Sequence, residues 1–143
     1  LWSKQIKFKH GEVEVRVRAN SGDIDQGGGL VWRVKDANNY YVARYNPLEN
    51  NFRLYYVKDG RRVQLASAEH LSVPEGIWFH LRIYHHGRRI QGWFNDTHAW
   101  DVTDMQLPGE GGVGVWTKAD AASSFDDFVV RRATKTTAHS TTP

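Results

Sequence analysis

Cysteine is absent from the 143 residues, which excludes a disulfide scaffold and any thiolate metal site. No apolar run approaches the ~18 residues of a membrane-spanning helix, so no membrane partner is expected. A charge excess of one sign is also nearly lacking: Lys and Arg number 19 against 16 Asp and Glu, a net of +3. The cations are scattered among the acids rather than gathered in a stripe, so no nucleic-acid partner is expected. No apolar pattern of helical period is sustained anywhere. What the chain has in quantity is aromatic side chains, six each of Trp, Tyr and Phe. Some of these build the core, and a remainder at the surface would favour sugar or partner binding.

Short alternating runs separated by turn signals recur along the chain. Glu12 to Arg18 alternates strictly, with Val13, Val15 and Val17 on one face and charges on the other. Further strands are expected at 30–35, 40–46, 52–58, 62–68, 78–84, 89–94, 98–102, 113–117 and 124–131. Asp59-Gly60 and His86-Gly87 are hairpin signals because their residues accept positive φ. Asn95-Asp96 reads as another turn, a better reading than an N-x-T glycosylation acceptor. About ten short strands with hairpin-length connections predict an all-β, two-sheet antiparallel sandwich spanning 1–133. Periodicity alone also accommodates a closed barrel. The Thr-rich segment 134–143 reads as a linker or tail, a former junction with other domains of a parent protein. The chain begins at Leu1 without a signal-peptide pattern, so it is expected to be a mature or excised fragment. Cysteine absence fits an exported module, secreted or at the periplasm or cell surface.

The segments GGGLVWRVKDANNYYVARYNPLENNFRLYYVKDGRR, WFHLRIYHHGRRIQGWFN and GGVGVWTKADAASSFDDFVV resemble one family over roughly Glu12 to Arg131. It is the concanavalin A-like (laminin G-like) jelly-roll group of bacterial exported proteins. Many of its members are labelled 3-keto-disaccharide hydrolase or family 16 glycoside hydrolase-like domains. The resemblance implies a jelly roll with a glycan platform on its concave sheet face. The fold hosts lectins, binding modules and glucanases alike, so it does not by itself choose a function.

Strand parity nominates the platform. If strands 30–35, 40–46 and 52–58 are neighbours, Arg33, Tyr40, Arg44, Arg53 and Tyr55 share one face, with Trp116 and Lys118 joining from the following strand. Aromatic rings stack on sugar CH faces and guanidinium forks bind hydroxyls or carboxylates. The plainer alternative is a solvated face with its arginines paired to Asp36, Glu49 or Asp120. In the doublet Asp126-Asp127, adjacent strand residues point to opposite faces, so one carboxylate is expected inward and in need of a partner. In similar jelly rolls a last-strand Asp joins a structural Ca²⁺ site, which implies Asp126, Asp127 and Asp25 as its ligands.

Catalytic patterns are sparse. The paired-carboxylate strand motif E-x-D-x-x-E is missing, and Glu12 and Glu14 read as an exposed polar face. None of the seven His forms an H-x-H or H-E-x-x-H pattern. His85-His86 read as turn decoration and His80 as surface. Trp32, Tyr41, Phe52, Leu81 and Trp78 are among the expected core, while Trp93 and Trp100 read as peripheral. The expectation is a non-catalytic, lectin-like module that binds a polysaccharide or oligosaccharide. The alternatives are a hydrolase or lyase acting on 3-keto-glycosides and a structural docking module.

Overall fold

The computed structural model describes residues 2–21, 27–74, 76–117 and 122–133. Their secondary structure is strand throughout: β1 Trp2–Phe8, β2 Gly11–Ser21, β3 Gly28–Asp36, β4 Asn39–Asn46, β5 Asn51–Lys58, β6 Arg61–Ala68, β7 Trp78–His86, β8 Arg89–Phe94, β9 Thr97–Thr103, β10 Gly111–Trp116 and β11 Ala122–Arg132. They form two antiparallel sheets, a six-stranded one ordered β1-β10-β3-β4-β5-β6 and a five-stranded one ordered β11-β2-β7-β8-β9. The protein is thus an open two-sheet jelly-roll sandwich, and the closed barrel is excluded.

The hairpin signals act as the residue types require. Asp59 and Gly60 take φ of 52° and 78°, and Asn95 and Asp96 take 49° and 66°. Two successive positive φ values match the right-handed twist of the flanking strands. Strand β1 was not anticipated: its seven residues alternate only weakly, and an edge strand needs one partner, which β10 supplies.

Alternation puts apolar side chains between the sheets. Val13, Val15 and Val17 of β2 and Phe79, Leu81 and Ile83 of β7 meet Leu30, Trp32, Tyr41, Phe52 and Leu54 from the other sheet. Trp100 corrects the peripheral expectation. It is buried, its Nε1 donates to the Phe52 carbonyl at 3.2 Å, and its ring stacks on Phe52. Gly92 makes room for it, since a Cβ there would stand 2.5 Å from the ring. Gly92→Ala is expected to lower stability by about 1–3 kcal/mol through overpacking, read as a lower melting temperature. An unchanged melt would show that Trp100 can move freely.

Trp78 corrects in the other direction. It lies outside the core, on the outer face of the five-stranded sheet, where the Arg16 and Arg18 guanidinium groups sit 5.0 and 5.1 Å from its ring centre. Its neighbour Phe79 takes the inward place. Trp93 is half-buried on that outer face beneath Arg82, whose guanidinium is 4.0 Å from the ring. Glu12 and Glu14 lie there too, half-buried rather than exposed, tied to Arg82 and to His80 and Arg131.

Candidate functional site

The outer face of the six-stranded sheet does not look like a solvated polar surface. Cross-strand pairing lays its side chains in rows. One row runs Trp2–Gly114–Val31–Val42–Tyr55–Gln64 from β1 to β6. On one side of it runs Trp116–Gly29–Arg44–Arg53–Ser67. On the other side Tyr40 pairs with Val57 and Val57 with Arg62. Val31, Val34, Val42, Tyr55 and Val57 form an apolar cluster separate from the core, with Trp2, Tyr40 and Trp116 packed against it.

The face has two chemically distinct parts. Trp2, Tyr40 and Trp116 stand around a groove of about 140 Å³, with Val31, Val34 and Val115 also lining it. The glycines at 29 and 114 in the rows leave the sheet surface low between the rings. At Gly29 a Cβ would strike the Ala43 carbonyl, so the position admits no larger residue.

Beside the groove, guanidinium groups surround Tyr55. Arg44 donates to the Tyr55 hydroxyl at 3.2 Å, and Arg62 lies 4.4 Å over the Tyr55 ring centre. Burial works to raise the Tyr55 pKa. The hydrogen bond from Arg53 and the charges of Arg44, Arg62 and Arg53 outweigh it and hold the hydroxyl below its ordinary value. Arg44 also donates to Asn51 at 3.3 Å and to Glu49 at 3.4 Å. Arg53 donates to Ser67 and pairs with Glu69 at 3.7 Å. Two of the three arginines therefore carry a carboxylate at the rim, and the third, Arg62, has none among the described residues.

Of the residues nominated by parity, Tyr40, Arg44, Arg53, Tyr55 and Trp116 do share this face. Arg44 and Tyr55 are only 5% and 4% exposed, so they form its floor. Lys118 lies outside the described residues. Trp2 and Arg62 were missed. Trp2 went with the unrecognised β1, whereas Arg62 was within reach: the Asp59-Gly60 hairpin sets Val57 opposite Arg62 and so puts Arg62 on the Tyr55 face.

Arg33 is not on the platform. From Val31 to Val34, β3 spans one residue more than β10 does from Gly114 to Gly112. This bulge breaks alternation, and Arg33 adopts φ 49°. Its side chain turns away from the outer face and is 1% exposed. It donates to the carbonyls of Lys9 (3.0 and 2.8 Å), Gly87 (3.1 Å) and Leu107 (3.2 Å). No carboxylate pairs with it among the described residues.

His85 also departs from expectation, being fully buried rather than at a turn. An indole N–H can only donate, so the 3.0 Å contact from Trp32 Nε1 makes His85 Nδ1 an acceptor and the ring neutral. Burial first, and then the Arg33 charge, push its pKa down to about 3, against a smaller opposing effect of the Gly87 backbone.

The carboxylate doublet is not inward. A bulge between Asp126 and Val129 and φ 52° at Asp127 turn both side chains to solvent. Asp127 pairs with Arg16 at 3.3 Å, and Asp126 accepts from the Asp127 amide. The inward carboxylate on which the calcium expectation rested is therefore missing, and Asp25 lies outside the described residues. Among the described residues no three His, Asp or Glu side chains gather as a metal site.

No family model matches the sequence, and no curated protein matches it. Solved structures do match the fold. The carbohydrate-binding module CBM66 from Bacillus subtilis superimposes with a TM-score of 0.78 at 19% identity, covering 90% of this chain and 89% of that one. Chicken galectin 2 gives a TM-score of 0.70 at 10% identity over 91% and 97% of the two chains. A toad ovary galectin in complex with thio-digalactose gives 0.68 at 12% over 92% and 97%. The keto-disaccharide hydrolase group expected from the sequence is not confirmed by these comparisons. The chain has the two-sheet jelly-roll fold that these lectins and this binding module share.

Proposed function

We propose that this chain is a lectin-like carbohydrate-binding module of an exported protein, with no catalysis of its own. Its glycan lies across the outer face of the six-stranded sheet. The observation that carries the reading is the juxtaposition on that face of an aromatic groove, Trp2, Tyr40 and Trp116, with the Arg44–Arg53–Arg62 group around Tyr55. A sugar ring presents apolar CH faces and a rim of hydroxyls. Indole and phenol rings stack on the first, and guanidinium forks donate to the second. The similar structures, a carbohydrate-binding module and galectins, support the same reading.

Arg44 and Tyr55 are too buried to be clean probes, because their loss would also disturb the sheet. Trp116 and Arg62 are more accessible. A glycan array followed by calorimetry on the best ligand provides the test. Trp116→Ala and Arg62→Ala are each expected to weaken binding roughly tenfold to a hundredfold, as for the central contacts of other interfaces. Far-ultraviolet circular dichroism should remain that of the parent. Unchanged affinity in both variants, or no bound glycan at all, would sink the proposal.

A further inference from the structure

We infer that the open β1/β11 edge of the sandwich carries a second binding site, for a compact oxyanion group of the sulfate or phosphate type. The site is separate from the six-stranded sheet's outer face. Its basis is a local surplus of cations around a cleft, backed by a buried positive charge that has no counter-ion among the described residues.

The sequence Lys7-Phe8-Lys9-His10 builds it. Alternation buries Phe8 and leaves Lys7 and Lys9 exposed. The chain then crosses from one sheet to the other, so the two lysines stand at the seam. There Lys7, Lys9, His10 and Arg132 line a cleft of about 390 Å³, with Glu110 on its rim. Lys35 reaches the same place, its Nζ donating to the Glu110 carbonyl at 2.7 Å. Behind the cleft lies Arg33, hydrogen-bonded to the Lys9 carbonyl.

The charges do not cancel. Lys7, Lys9, Lys35, Arg33 and Arg132 face one carboxylate, Glu110, and none of the five makes an ion pair among the described residues. Elsewhere on this protein six arginines, Arg16, Arg44, Arg53, Arg82, Arg89 and Arg131, each hold a carboxylate. The surplus is felt by the groups in it. Burial lowers the His10 pKa, and His86, Arg33 and Lys9 lower it further. Burial also lowers that of Lys35, and Arg33, Lys9 and Lys7 add to the effect against Glu110. Convergent cations cost free energy unless an anion joins them, and an oxyanion accepts from several N–H donors at once. The charges close on one cleft instead of tracking a groove, which favours a compact group over a nucleic-acid backbone.

His10 reports occupancy. Its Nδ1 accepts from the Gly87 amide at 2.9 Å, so the proton it gains enters at Nε2. The experiment follows the His10 imidazole by NMR while adding inorganic sulfate, inorganic phosphate, a sulfated oligosaccharide or its desulfated form. Sodium chloride at matched ionic strength is the control. Sulfate and phosphate are expected to raise the His10 pKa saturably and beyond the chloride effect. Lys7→Ala with Lys9→Ala should weaken this roughly tenfold, the weight of a charge-assisted hydrogen bond, while Trp116→Ala leaves it unchanged. If the sulfated sugar binds more tightly than free sulfate and its desulfated form does not bind, the anion comes from a glycan. Tighter binding of free phosphate assigns it to the small ion. A response no larger than that to chloride, or full affinity in the double lysine variant, overturns the site.

Discussion

Arg33→Met is expected to destabilise the protein by about 2–4 kcal/mol through lost hydrogen bonds, lowering the melting temperature by roughly 6–16 °C. The methionine fills much of the same volume, so the loss is not chiefly one of packing. It arises because three carbonyls, those of Lys9, Gly87 and Leu107, lose their donor, the Leu107 one in a fully buried place and the other two in partly buried ones. Those carbonyls belong to the β1–β2 turn, the β7–β8 hairpin and the segment before β10, so one guanidinium ties three separate connections together. Hydrogen exchange should rise around residues 9, 87 and 107 before it rises in the sheets. Arg33→Lys should lose less, since an ammonium reaches some of the carbonyls but not all in the fork geometry. A melting temperature within a degree or two of the parent for Arg33→Met would show that the carbonyls are satisfied by other means.

The second large effect is acid lability centred on His85. Its folded pKa of about 3 lies below the ordinary 6.5. Between those values the unfolded chain binds a proton that the folded one refuses, so stability rises with pH there. Its contribution is complete above pH 6.5 and is lost as pH falls toward 3. The slope approaches about 1.4 kcal/mol per pH unit, and about 3–5 kcal/mol is lost across the window. His10, also lowered, adds in the same sense. Glu14, Asp36 and Asp101 are lowered as well, but carboxylates lose their contribution only at more acid pH. The interval from pH 5 to 6.5 therefore isolates the histidines. His85→Asn keeps an acceptor for the Trp32 indole and removes the titration. Urea denaturation at several pH values should show a steep slope in the parent and a much flatter one in the variant. Equal slopes would mean that His85 is not the buried proton acceptor.

These two residues also show where reading the chain stops short. Arg33 was placed on the platform by strict alternation, which sets it with Val31 on the face opposite Trp32. The alternation fails because one extra residue is accommodated in β3 against β10, and a bulge shifts every later side chain to the other face. His85 precedes Gly87 and looks like part of a hairpin. Its parity with Phe79, Leu81 and Ile83 already pointed inward, and the structure follows the parity. The same mechanism disposes of Asp126 and Asp127, where a bulge turns out the carboxylate that simple alternation turned in. Trp78 went astray for want of the same parity count, since His80 and Arg82 share its face.

The sequence alone determined the class of fold and most of its strands. Period-two alternation and positive-φ hairpin pairs are local properties, dictated by backbone sterics and the burial of one face. It also determined that Tyr40, Arg44, Arg53 and Tyr55 share a face, because no bulge intervenes between the paired residues of β4 and β5. Only the tertiary structure decided which residues from distant strands complete that face. Trp2 reaches it through β10, and nothing local to the first residues marks them as a strand. Only the tertiary structure, likewise, gathered Lys7, Lys9, Lys35, Arg33 and Arg132 at one edge. Sheet order, crossovers and bulges are set by how two whole faces pack, and no window of neighbouring residues contains that information.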